Sequence, residues 1–271
     1  MRCGTVTGVT IKTAEEIEIM REAGRIVAEA HTAMEAILRP GVSTYELDQA
    51  AEEVIRSYGA VPAFLGYPKH DAPDFPGTIT ASINHELVHG IPSKDRILHD
   101  GDIISLDTGC HYEGFVGDAA RTHAVGEVPQ AVQRLIDVTE EALRVGIAAS
   151  VVGNATRDVA VAIQQYVEGQ GYSVARDYTG HGVGREMHEP PAIPNYWVSK
   201  KKRSSFTSVK LVPGMTYAIE PMVIAGRAAT KELADKWTVI TRDKSLCAHT
   251  EHTIAITDTV PLILTLPGRE G

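Results

Sequence analysis

Two pairs of glycines, Gly41 with Gly59 and Gly153 with Gly171, bracket stretches of equal length at an offset of 112 residues. Inside the brackets one pattern recurs: Thr44 corresponds to Thr156, Leu47 to Val159, Ala50 to Ala162 and Ile55 to Val167. The apolar spacing is helical, and a glycine just past the last turn supplies a left-handed C-cap. The bracketed helices are predicted over 44–58 and 156–170, and each follows a longer one. The first opens at Thr13 with a T-A-E-E capping box, runs through Ile17, Met20, Ile26, Val27 and Met34, and stops at Arg39-Pro40-Gly41. The second covers 130–149 and stops at Gly153-Asn154. Strands with β-branched or alternating character follow at 102–108, 114–123, 216–223 and 249–257. A helix–helix–strand unit used twice restricts the chain to an α/β (α+β) class with two pseudo-symmetric halves, roughly 11–125 and 126–265. The cleft between such halves is a natural ligand site. No long linker separates them, so residues 1–271 read as a single domain.

Composition narrows the partners. With 26 Lys+Arg against 35 Asp+Glu the net charge is −9, which disfavours nucleic acid as a bulk ligand. Cys3, Cys110 and Cys247 are odd in number and far apart, which fits a reducing compartment and argues against a disulfide framework or a thiolate metal site. The N-terminal residues lack an apolar signal core, and no apolar run reaches the roughly 18 residues of a membrane span. A cytoplasmic protein without membrane contact is expected, and we expect a monomer.

Carboxylates occur where strands should be apolar. Asp107 ends the run IISL, Asp118 follows FVG, and the CHYEGF between them has the length and glycine of a hairpin turn. Folding about that turn predicts the two aspartates nearly opposite each other, an arrangement of like charges that needs a reason. Glu220 interrupts MTYAIEPMV, and Glu251 shares a face with Thr253 and Ala255 in AHTEHTIAIT. His181 lies in TGHGVGREMHEPP, whose glycines and double proline forbid a helix and predict a strand or turn with close backbone approach. Four carboxylates and one imidazole make a poor core and a good home for hard divalent cations. Two such ions would balance four carboxylate charges, whereas one would leave buried negative charge uncompensated.

Taken jointly, SINHELVHGIP, DGDIISLDTG, GFVGDAART, GHGVGREMHE, PGMTYAIEPMV and AHTEHTI resemble the type I methionine aminopeptidases, over about residues 11–264. The resemblance implies the pita-bread aminopeptidase/creatinase-like fold, two halves around a central curved antiparallel sheet. It implies two divalent metal ions (Co, Mn, Fe or Zn), with Asp107 on one, His181 and Glu220 on the other, and Asp118 and Glu251 bridging. It implies hydrolytic removal of N-terminal methionine from nascent peptides with a small second residue, through a metal-bridging hydroxide with Glu220 as proton shuttle. His89 and His188 match the two histidines that hold substrate without binding metal, and so join Glu220 as catalytic residues. Phe64, Tyr67, Thr80, Tyr178, Met187 and Trp237 are implied to line the methionine pocket.

Two segments depart from the family pattern. Residues 68–81 are longer than usual and end with Thr80 where many relatives carry cysteine. The loop at 195–210 is lengthened and basic, and Lys200, Lys201, Lys202 and Arg203 suggest docking to ribosomal RNA. Three other functions compete. A proline dipeptidase would share the five ligands but generally adds a large N-terminal domain, a non-catalytic binding protein would have lost ligands, and a dimetal esterase or phosphatase would not need free-amine recognition.

Overall fold

The computed structural model of the chain describes residues 8–198 and 206–268. The first helical pair is α1 (Ala14–Ile37) and α2 (Thr44–Ser57), and the second is α3 (Gln130–Ala149) and α4 (Thr156–Gly169). The strands between and after them are β1 (Val61–Pro62), β2 (Ile79–Ile83), β3 (Glu86–Val88), β4 (Ile103–Tyr112), β5 (Phe115–Ala124), β6 (Ser173–Val174), β7 (Gly180–Gly182) and β8 (Glu189–Ile193). The C-terminal part adds β9 (Thr216–Ile219), β10 (Met222–Ile224), β11 (Thr230–Glu232), β12 (Val239–Thr241), β13 (Cys247–His249), β14 (Glu251–Ala255) and β15 (Leu262–Ile263).

Helix starts follow their capping chemistry. At α1 the Glu16 N–H donates to Thr13 Oγ1 at 3.3 Å and the Thr13 N–H to Glu16 Oε2 at 3.0 Å. Ser43 and Glu46 repeat the exchange at α2. At α4 the capping position is Ala155, and only the carboxylate half survives, Ala155 N–H to Asp158 Oδ2 at 2.9 Å. Gly41 and Gly153 have φ of 90° and 100°, and Gly59 and Gly171 have 70° and 86°, values that residues with a Cβ avoid. The settings of the bracketed helices also match. Leu98 N–H donates to Val42 O at 2.8 Å and Leu211 N–H to Asn154 O at 2.9 Å. Thr44 N–H reaches Arg96 O, and Thr156 N–H reaches Val209 O, both at 2.9 Å.

A nine-stranded antiparallel sheet runs β1-β4-β5-β14-β9-β7-β8, with β2 also on β4 and β15 on β14. The helices pack on one face of this sheet. Ile26, Val27 and Met34 of α1 and Leu47 and Ile55 of α2 bury against Ile104, Leu106 and Ala119. Leu143 and Ile147 of α3 and Val159 and Ile163 of α4 bury against Tyr217, Ile219 and Ile254. Contact under α1 is close enough that a Cβ on Gly117 would lie 2.6 Å from Gly24 N and 2.7 Å from Ala23 C.

The sheet departs from the predicted strands in two places. The stretch 216–223 is two strands in different sheets, β9 and β10, because Pro221 has no N–H to continue the ladder. Likewise 249–257 breaks at Thr250 into β13 and β14. Both breaks fall beside a candidate ligand. The β4–β5 hairpin turns on Glu113 (φ 47°) and Gly114 (φ 80°), the two consecutive positive φ values of a type I′ turn.

Candidate metal centre

Each candidate ligand sits on a different element of the large sheet, in spatial sequence Asp107 (β4), Asp118 (β5), Glu251 (β14), Glu220 (just past β9) and His181 (β7). Asp107 and Glu251 both pair with Ala120, one from each side, so all three share a cross-strand row. Asp118 is opposite Gly109, not opposite Asp107, and the two aspartates therefore meet diagonally. Small residues at Ala120 and Gly109 leave room between the carboxylates. A Cβ on Gly109 would lie 3.2 Å from Asp118 Oδ1 and 2.7 Å from Met187 Cε.

Asp107, Asp118, Glu220 and Glu251 are 8%, 3%, 8% and 2% exposed, so four acidic groups face a space nearly closed to solvent. Asp107 Oδ1, Asp118 Oδ1 and Glu251 Oε1 have no hydrogen-bond partner among the described residues. Burial, and then the charge of Asp118, hold Asp107 well above the usual carboxylate range. Burial pushes Asp118 up to about 7, against the opposing hydrogen bonds from Glu251 and the Ala119 N–H. Glu220 is raised by burial and by Asp107 and Asp118, and Glu251 by burial and by Asp118, Glu220 and Asp107. Bare acceptors on carboxylates that repel one another are what a divalent cation would satisfy.

His181 points at the same carboxylates. Its Nδ1 donates to the Gly182 carbonyl at 3.1 Å, leaving the Nε2 lone pair 3.6 Å from both Asp118 Oδ2 and Glu220 Oε1. Burial lowers its pKa to about 3, so it is neutral and able to ligate at neutral pH. The glycines around it admit neighbouring backbone: a Cβ on Gly180 or Gly182 would collide with the Ala218 or Pro190 carbonyl respectively.

The two histidines of TGHGVGREMHEPP sit on different segments, His181 on β7 and His188 in the loop before β8, with their ring centroids only 4.2 Å apart. Tyr67 Oη is 2.7 Å from His188 Nδ1. His89 has φ 60°, a left-handed conformation rare for a residue with a Cβ, and burial lowers its pKa to about 4. Gly90 beside it holds no Cβ because one would strike the Ala81 carbonyl.

A cavity of about 150 Å³ joins these groups, walled by Phe64, Tyr67, Phe75, Thr80, Met187 and Trp237. A larger surface cavity of about 620 Å³ lies beside α1, but its arginines are engaged in ion pairs, Arg21 with Glu18 and Arg25 with Glu22. Thr80 is registered against Asp107 across the β2–β4 ladder. Tyr178 stands behind His89, edge-on at 5.8 Å, and not on the cavity wall. Phe75 and His249 were not anticipated. Phe75 comes from the long 68–81 loop, which folds back through Gly66 N–H to Phe75 O and Trp237 Nε1–H to Pro73 O. His249 Nε2 lies 3.6 Å from Glu220 Oε2 and 3.8 Å from Glu251 Oε2, a placement that its i, i+2 spacing from Glu251 could have signalled. The basic residues Lys200, Lys201, Lys202 and Arg203 lie outside the described residues. Among those described, no helix is long and apolar enough to cross a membrane.

Comparison with known proteins places this geometry among relatives. The profile of metallopeptidase family M24 matches residues 18–258. A methionine aminopeptidase of Clostridium acetobutylicum is 49% identical over 258 residues, covering 95% of this chain and 99% of its own. The crystal structure of a methionine aminopeptidase from Thermotoga maritima superimposes with a TM-score of 0.89 at 41% identity, over 95% of this chain and 99% of that one. An Xaa-Pro dipeptidase from Bacillus anthracis is more distant, with a TM-score of 0.74 at 26% identity, and 96% of this chain covers only 63% of it.

Proposed function

The chain belongs to the methionine aminopeptidases of metallopeptidase family M24, and from that premise we propose that it removes N-terminal methionine from nascent polypeptides whose second residue is small. The cavity supports this most directly, because one wall is acidic and the other aromatic and sulfur-bearing. The acidic wall suits a free α-amine through its cations, and the aromatic wall suits a thioether. Asp107 would hold one divalent ion, His181 with Glu220 a second, and Asp118 with Glu251 both. Bound there, Co, Mn, Fe or Zn would polarise the methionyl carbonyl, anchor the amine and supply hydroxide by lowering the pKa of water.

Glu220 accepts the proton of the attacking water and delivers it to the leaving amine. One of its oxygens faces His181 and the other faces His249. A Tyr67 O–H that donates to His188 Nδ1 would keep the ring proton of His188 at Nε2, from where it could donate to the substrate. His89, buried and neutral, faces the same cavity and steadies charge on the tetrahedral intermediate. Phe64, Tyr67, Phe75, Met187 and Trp237 exclude water around the methionine side chain, and Thr80 sets the polar edge of that pocket.

The enzyme acts in the cytoplasm as a monomer and as one domain of two pseudo-symmetric halves, 11–125 and 126–265. Lys200, Lys201, Lys202 and Arg203 dock it to ribosomal RNA; unchanged co-sedimentation after reversing all four charges would remove that role. The activity is tested by offering the metal-loaded protein a Met-Ala-Ser peptide beside an X-Pro dipeptide. Release of methionine is expected, and cleavage of the X-Pro substrate alone would overturn the assignment.

A further inference from the structure

A second set of metal-type donors lies across β5 from the cavity. Side chains alternate along a strand, so Asp118 and Ala120 face the cavity whereas Ala119, Arg121 and His123 face α1. On α1, His31 and Glu35 are four residues apart and share that face. His31 is fully buried, and its Nε2 donates to the Ala119 carbonyl at 2.9 Å. Its Nδ1 then carries the lone pair and is buried without a partner among the described residues. His123 Nε2 is also buried without a hydrogen bond, 3.6 Å from Glu35 Oε1. One ligand atom from each of the three residues lies within 4.8 Å of the other two.

An imidazole that spends one nitrogen on a backbone carbonyl and leaves the other bare has the arrangement of a histidine metal ligand. Leaving a buried acceptor bare with nothing to satisfy it is unfavourable. Burial holds His31 well below the ordinary imidazole range and lowers His123 too, so both lone pairs are available at neutral pH.

We propose that His31, Glu35 and His123 bind one divalent transition cation of the zinc class, tying α1 to β5 on the face opposite the cavity, with water as the fourth ligand. Two nitrogens and one carboxylate distinguish this site from the oxygen-rich centre in the cavity. The cluster lies near the surface, with the side chains of Glu35 and His123 35% and 22% exposed. Arg121 opposes the cation: its Nη1 is 2.7 Å from Glu35 Oε1. A carboxylate has two oxygens and can serve the arginine and a metal together, but the neighbouring positive charge weakens the site. Removing that charge should therefore tighten binding.

The experiment counts zinc per chain after equilibrium dialysis in the parent protein, His123→Ala, Glu35→Gln and Arg121→Met. None of these substitutions touches the cavity, so aminopeptidase activity reports that each variant is folded. The parent should hold one more zinc than His123→Ala and Glu35→Gln, and Arg121→Met should bind that zinc at least tenfold more tightly. With Co(II) as probe, the parent-minus-His123→Ala spectrum should show four-coordinate visible bands. Equal zinc counts in all four proteins would overturn the site, as would an affinity unchanged in Arg121→Met. Should His123→Ala fail to fold, Glu35→Gln, at a half-buried position, decides the outcome alone.

Discussion

His181 lies beside both Glu220 and His188, yet the proposed mechanism gives the three different duties, and substitution separates them. Glu220→Gln should lower kcat by about 10²- to 10⁴-fold, the range for a lost general acid–base group, with the circular dichroism spectrum unchanged. His181→Ala should reduce bound divalent metal, because the ring is fixed by Gly182 O and points its free nitrogen at two carboxylates. His188→Ala should keep its metal and lose about 10²-fold or more in kcat, as for a missing donor to a developing oxyanion. Metal analysis beside steady-state kinetics distinguishes these outcomes, and loss of metal in His188→Ala would merge the two roles. The cluster of carboxylates was legible because Asp107, Asp118, Glu220 and Glu251 are charged residues inside apolar runs, which a stable core does not tolerate without a purpose. His249 was not legible, since a histidine beside Thr250 has no such contrast with its neighbours. Phe75 was hidden for another reason: it reaches the cavity only through the folding of a loop whose closure depends on Trp237, far away in sequence.

At the level of elements, the glycines that bracket α2 and α4 and the capping pair Thr13 and Glu16 of α1 fixed three helices within a residue or two of their ends. Strands were harder. Periodicity reports alternation of burial but not membership of a sheet, so the break at Glu220-Pro221 and the partition of 249–257 became visible only in three dimensions. Packing between elements is tight at Gly117, where β5 meets the backbone of α1. Gly117→Ala should destabilise the protein by about 1–3 kcal/mol, the usual penalty for overpacking. Because Asp118 is the next residue, the same change should weaken metal binding. Denaturant unfolding together with metal titration checks both, and a stable variant of unchanged affinity would show that the contact relaxes freely.

For the whole molecule, acidity and metal act on stability together. Asp107, Asp118, Glu220 and Glu251 have folded pKa values above their ordinary ones, so without metal their contribution is complete in acid. It is lost as pH rises through the folded values, about 7 for Asp118. The buried imidazoles run the other way. His89 at about 4 and His181 and His249 at about 3 favour the fold above the ordinary histidine value, and that contribution is lost as pH falls toward the folded values. Metal-stripped protein should therefore melt at lower temperature at pH 8 than at pH 6. Divalent metal should raise the melting temperature more at pH 8, since binding needs the carboxylates ionised. Thermal melts with and without chelator at both values check this, and a metal increment that shrinks with pH would contradict it.

The place of β14 in the sheet has a consequence for quality control. This strand comes late in the chain, yet it inserts between β5 and β9, and it carries Glu251. A partial copy that stops short of it lacks both a candidate ligand and the strand that joins β5 to β9. An unfinished or truncated protease of this kind should be inert, its ability to cut other chains beginning only when its own chain has closed.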